Sequence, residues 1–173
     1  VVHRDIKAAN VFVRGDGAIL LGDFGLARPT SAGATRLTMA GVAVGTPNTM
    51  APEQIDGRDV IDGRADLYAL GCLLFACLAG RPPFSGRSAE VMHAHRTAPP
   101  PDLAAIVPGL PAGLAALVAA LMAKRPEDRP DSATTVRRAL APLLAACGAA
   151  PGAPVPLREA PPAAATADDA LLL

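Results

Sequence analysis

Four side chains that could do polar chemistry stand near the amino end: Asp5, Lys7, Asn10 and Asp23. The first three fall within His3-Arg4-Asp5-Ile6-Lys7-Ala8-Ala9-Asn10, and the fourth opens Asp23-Phe24-Gly25. A third short motif, Ala51-Pro52-Glu53, follows. A carboxylate can take a proton from a hydroxyl. An ammonium can offset charge on a reacting anion. An Asn and an Asp supply hard oxygens of the kind that small divalent cations prefer. Singly, each residue has a plainer reading, because Asp and Asn are common in turns and caps. Their occurrence as an ordered set outweighs that reading.

In order and spacing the set resembles the protein-kinase signature: a catalytic loop H-R-D-x-K-x-x-N, a metal-binding D-F-G and an A-P-E that closes the activation segment. The resemblance covers about residues 1–147 and is to the family's C-lobe alone. It implies a Ser/Thr protein kinase of the bacterial, eukaryote-like (Hanks) type. Asp5 would orient a substrate hydroxyl and accept its proton, Lys7 would face the transferring phosphate of ATP, and Asn10 and Asp23 would hold Mg²⁺. Gly45-Thr46-Pro47 before Met50-Ala51-Pro52-Glu53 is similar to the family's substrate-seating stretch. There Thr46 would bond Asp5 and Lys7, a Ser/Thr-kinase device, while Thr49 stands where the family usually has Tyr. Phe12 would lie beneath adenine, supported by Leu73 and Cys77, and His3 and Phe24 would join the family's regulatory stack. Asp66 would accept hydrogen bonds from catalytic-loop amides, and Arg129 would pair with Glu53 in a partly buried ion pair.

Arg4 and Arg28 form a candidate phosphate pocket. Phosphorylation of Thr35 or Thr38, with Thr30 and Ser31 as further acceptors, is expected to order the loop by pairing with them. The resemblance allows autophosphorylation and implies Ser/Thr-bearing protein substrates. A pseudokinase or kinase-like interaction module stays open as the alternative, although Asp5, Lys7, Asn10 and Asp23 are all present. A small-molecule phosphotransferase is disfavoured by the Thr46 stretch. The G-x-G-x-x-G loop and V-A-I-K lysine of the ATP-clamping N-lobe have no match here. The N-lobe is therefore expected to be missing from this chain, which alone should have no useful activity.

The elements that must position these residues read as mainly α, with a small β-hairpin at the catalytic loop. Val11–Val13 and Ala18–Leu21 are short apolar runs around Gly15-Asp16-Gly17, a hairpin signal. Residues 29–50 read as a long loop. Leu67, Leu70, Leu73, Leu74 and Leu78 follow helical spacing over 64–79, stopped by Gly80 and Pro82-Pro83. A short polar helix over 87–97, capped by Ser88, carries His93 and His95 as surface residues. A Pro-rich loop spans 99–111. Helices follow at about 112–123 and 132–146, the latter containing Pro142. Residues 1–147 make one partial kinase domain, and 148–173 read as an Ala/Pro-rich disordered tail or linker.

Composition agrees with a globular chain built on aliphatic packing: 51% of the 173 residues are hydrophobic but only 3% aromatic. Lys+Arg and Asp+Glu are 16 each, so bulk charge gives no reason to expect a nucleic-acid partner. Cys72, Cys77 and Cys147 lack metal-site spacing and read as reduced, buried thiols of a cytoplasmic domain. No run is long enough to span a bilayer, though a membrane anchor in the parent beyond the tail fits the resemblance.

Overall fold

The structure is a computed structural model that describes residues 1–24 and 47–146. After a 3-10 turn at Ala8–Asn10 come two strands, β1 (Val11–Val13) and β2 (Ile19–Leu21). They pair antiparallel with Phe12 opposite Leu20. Asp16 closes the turn by accepting the Ala18 amide through Oδ1 at 3.0 Å. Gly17 takes a φ of 82° there, a conformation that costs a residue with Cβ but not glycine.

The other regular elements described are helical: α1 (Pro52–Ile55), α2 (Arg64–Ala79), α3 (Ser88–Thr97), α4 (Leu103–Ile106), α5 (Ala112–Leu121) and α6 (Ala133–Ala146), with a second 3-10 turn at Pro126–Asp128. The α2 helix is the hub. Its Leu stripe is not its buried face, since of those five leucines only Leu67 is fully buried. Ala65, Tyr68, Ala69, Gly71, Cys72 and Phe75 share the burial, because neighbours surround the helix on most sides. On one side Tyr68, Cys72 and Phe75 pack with Phe84, Val91, Leu103, Val118 and Met122. On another, Leu67 meets Leu121 and Val136, which brings α6 onto the hub. The helix stops at Gly80, whose φ of 70° turns the chain toward Pro82-Pro83.

Four expectations change. Ser88 is the first residue of α3 rather than its cap: the Arg87 amide donates to Glu90 Oε2 at 3.0 Å. The 99–111 segment is not all loop, because Asp102 caps the single turn of α4 through the Ala104 amide at 3.0 Å. His95 is not a surface residue but fully buried, since it lies four positions after Val91 on the inner face of α3. Of the cysteines, Cys72 is buried as expected and Cys77 is exposed. Cys147 and the 148–173 segment lie outside the described residues.

Candidate active site

The His3–Asn10 segment is fixed at both ends. Asp66, in the first turn of α2, accepts the His3 and Arg4 amides, one on each carboxylate oxygen and both at 2.7 Å. Arg4 adopts a φ of 69°, a left-handed conformation that non-glycine residues rarely take. Two charge-assisted bonds to the flanking amides hold it there. Gln54 of α1 adds a third tie by donating to the Arg4 carbonyl at 2.9 Å, while its Oε1 accepts the Ala51 amide at 3.0 Å. Gln54 belongs to none of the signature motifs, so the sequence reading does not reach it. Its place three residues after Ala51, where a side chain folds back on a helix start, is the one signal the sequence offers.

Asn10 holds the other end. It is buried and donates through Nδ2 to the Asp5 carbonyl at 2.8 Å and to Asp5 Oδ2 at 3.1 Å. Lys7 Nζ lies 2.8 Å from the same Asp5 oxygen. Asp5, Lys7 and Asn10 thus form one cluster. Asp5 and Lys7 are half exposed, so their pairing adds little stability, but it sets the direction in which the carboxylate points.

The Asp23 segment is stitched to this loop through Gly22. The Gly22 amide donates to the Asn10 carbonyl at 2.9 Å, and its carbonyl lies 3.0 Å from His3 Nε2. A carbonyl only accepts, so Nε2 carries the hydrogen, and His3 Nδ1 accepts the Asp5 amide at 3.3 Å. The His3 and Phe24 rings sit 4.9 Å apart. Asp23 itself has a φ of 49°. The Phe12 ring lies against Gly22, so close that a Cβ there would meet Cε2 at 2.6 Å. Phe12 is otherwise on an open face, 53% exposed, and Cys77 gives it no buried support.

Glu53 and Arg129, 76 positions apart, form a buried two-pronged pair at 2.7 and 2.8 Å. Arg129 also donates to the carbonyls of Ala123, Arg64 and Lys124. Buried Tyr68, Cys72 and His95 and half-buried Lys124, none of them singled out for a polar role in the sequence, make a second polar group. The Tyr68 hydroxyl lies 2.8 Å from His95 Nδ1, and Lys124 donates to the Ala94 and His95 carbonyls. Burial, aided by the Lys124 charge, pushes His95 down to about 4. Burial lowers Lys124 to about 8 and pushes the Cys72 thiol up to about 12. A small cleft of about 130 Å³ opens between Asp5 and Lys7 on one side and Pro47, Thr49 and Met50 on the other. Arg28, Thr35, Thr38 and Thr46 lie outside the described residues, and so do the expectations placed on them.

A family model described as protein kinase domain matches residues 1–140. The chain belongs to the protein kinase family. Among curated proteins, this kinase chain is 42% identical over 114 residues to a probable serine/threonine-protein kinase PknB of Bifidobacterium longum. It is 45% identical over 119 residues to the serine/threonine-protein kinase PknJ of Mycobacterium tuberculosis. Over 118 residues it is 46% identical to the serine/threonine-protein kinase Pkn1 of Myxococcus xanthus. The matched regions cover 64% to 65% of this chain but only 16% to 20% of those relatives. The helical body with one small hairpin is that of a kinase C-lobe. Among the described residues no helix is long and apolar enough to cross a membrane, and no group of three or more His, Cys, Asp or Glu is placed to hold a metal ion.

Proposed function

We propose that the parent protein transfers the γ-phosphoryl group of ATP to Ser or Thr hydroxyls of protein substrates, and that Asp5, Lys7, Asn10 and Asp23 carry the step. The observation that supports this best is the pinned loop. Asp66 fixes its start and Asn10 its end, and between them Asp5 and Lys7 face the cleft beside Pro47–Met50. The Asp5 side chain is half exposed and can align an incoming hydroxyl and take its proton. Lys7 supplies a positive charge at that spot.

The donor set also fits a magnesium ion. Asn10 spends its amide N–H groups on Asp5, which leaves Oδ1 as its ligand atom, and Asp23 adds a carboxylate on the segment that Gly22 ties to Asn10. One Asn and one Asp, completed by phosphate oxygens, match the few hard oxygens that Mg²⁺ takes from proteins. When bound, Mg²⁺ would neutralise the phosphates as charge develops.

The test is phosphate transfer from labelled Mg-ATP to casein by the full-length parent protein and its Asp5→Asn variant. The wild type should transfer, and the variant should lose transfer while binding nucleotide as before. Undiminished transfer by the variant would overturn the assignment.

A further inference from the structure

The peptide group between Arg4 and Asp5 is held at both of its polar atoms. Its carbonyl accepts from Gln54 Nε2 at 2.9 Å, and its N–H donates to His3 Nδ1 at 3.3 Å. A peptide group is planar, so fixing its oxygen and its hydrogen fixes the orientation of the whole plane. Arg4 sits at a φ of 69°, in a region that costs a residue with Cβ, so it depends on the bonds around it to stay there. Asp5 hangs from the far end of this plane. Rotating the plane would swing its carboxylate away from Lys7 and from the cleft that both residues line.

Gln54 reaches the Arg4 carbonyl from α1, 50 positions along the chain. Its Oε1 is taken by the Ala51 amide at 3.0 Å, so the side-chain amide has one orientation, with Nε2 toward Arg4. The element that carries it is itself fixed. Glu53, one residue earlier, is paired with buried Arg129, and Arg129 donates to the Arg64 carbonyl at the start of α2. That helix therefore grips Arg4 twice: directly at the amide through Asp66, and at the carbonyl through Arg129, Glu53 and Gln54. From this we infer that Gln54 is a positioning residue for phosphoryl transfer, which aims Asp5 by holding the Arg4 carbonyl, in addition to capping α1. The inference rests on the proposed kinase activity and adds a residue to it. Gln54 is only half buried, so water can replace its donor. Water would satisfy the carbonyl without fixing its direction, and the loss should appear in the rate of transfer rather than in stability.

Gln54→Glu separates the two roles. A glutamate three residues after the cap still accepts the Ala51 amide, and its charge suits a helix start. It has no N–H to give, and it sets a carboxylate oxygen against the Arg4 carbonyl. Gln54→Met removes both bonds and adds no charge. The experiment compares the full-length parent protein with these two variants in transfer from Mg-ATP to casein, in urea midpoint and in hydrogen exchange at the Asp5 amide. In Gln54→Glu, kcat should fall about 10-fold to 100-fold while KM for Mg-ATP and for casein stays within about twofold. Its urea midpoint should match the wild type, and its Asp5 amide should exchange faster. Gln54→Met should change kcat and exchange in the same direction. Wild-type kcat in either folded variant would overturn the inference and leave Gln54 as a cap alone. A raised KM for casein with kcat intact would also overturn it, because Gln54 would then be a substrate contact. Absence of transfer by the wild type would remove the kinase reading, and exchange would still judge the tie: faster at Asp5 in the variants upholds it, unchanged overturns it.

Discussion

Arg129 shows how much one side chain can carry. Its guanidinium spans both Glu53 oxygens and three backbone carbonyls, and both partners are almost wholly buried. Removing one member leaves a charge without its partner in a medium that solvates it poorly. Glu53→Gln should therefore destabilise the fold by about 3–5 kcal/mol, whereas the double variant Glu53→Gln with Arg129→Met should recover part of that loss. Urea midpoints of the four proteins in that cycle would measure the coupling. Equal and additive losses would mean that the pair acts only as two separate packing groups. This pairing is legible in the sequence because Glu53 closes the A-P-E motif and the family resemblance assigns Arg129 to it. The three carbonyls are not, since backbone acceptors carry no side-chain signal.

At the scale of the element, α2 determines what the residues can do. Asp66 at its start turns a helix end into a clamp on the catalytic loop. Asp66→Asn keeps the shape but places an NH₂ against one of two N–H groups. The lost charge-assisted bond is worth about 1–3 kcal/mol, so kcat should fall about tenfold to a hundredfold. Hydrogen exchange at the His3 and Arg4 amides should accelerate as well. Unchanged exchange would show that the loop holds its form without the carboxylate. The helix itself is legible in the spacing over 64–79, but its buried face is not. Helical periodicity locates one stripe, and a central helix packed on most sides has no single stripe to locate. Cys72 and Cys77 make the point, since five residues at about 100° each put them roughly 140° apart around the axis. A thiol reagent applied to the native protein should therefore modify Cys77 and spare Cys72, whose thiol is buried and pushed up to about 12. Peptide mapping after labelling would decide this, and equal labelling of both would contradict the packing of α2.

For the molecule as a whole, the sequence shows the catalytic side and hides the interior that supports it. His95 reads as a surface group because α3 is short and rich in polar residues. Only the packing of Tyr68, Phe84 and Val91 around it reveals the burial. The consequence is a pH dependence of the entire fold. Burial and the nearby Lys124 ammonium hold the folded-state value at about 4, against an ordinary value of 6.5. The unfolded chain then binds a proton that the folded chain refuses, so stability rises with pH across that interval. The contribution is present in full above about pH 6.5 and is lost as pH falls through 6.5 toward 4, up to about 3 kcal/mol in all. Carboxylates elsewhere add their own acid sensitivity, so the comparison must be with His95→Phe, which keeps an aromatic ring in the site. Between pH 7 and pH 4 the stability of the wild type relative to that variant should fall by an amount approaching 3 kcal/mol. Urea titrations at a series of pH values would trace it. A constant difference over that range would mean that the imidazole titrates alike in folded and unfolded chains, and the packing of α3 against α2 would have to be drawn differently.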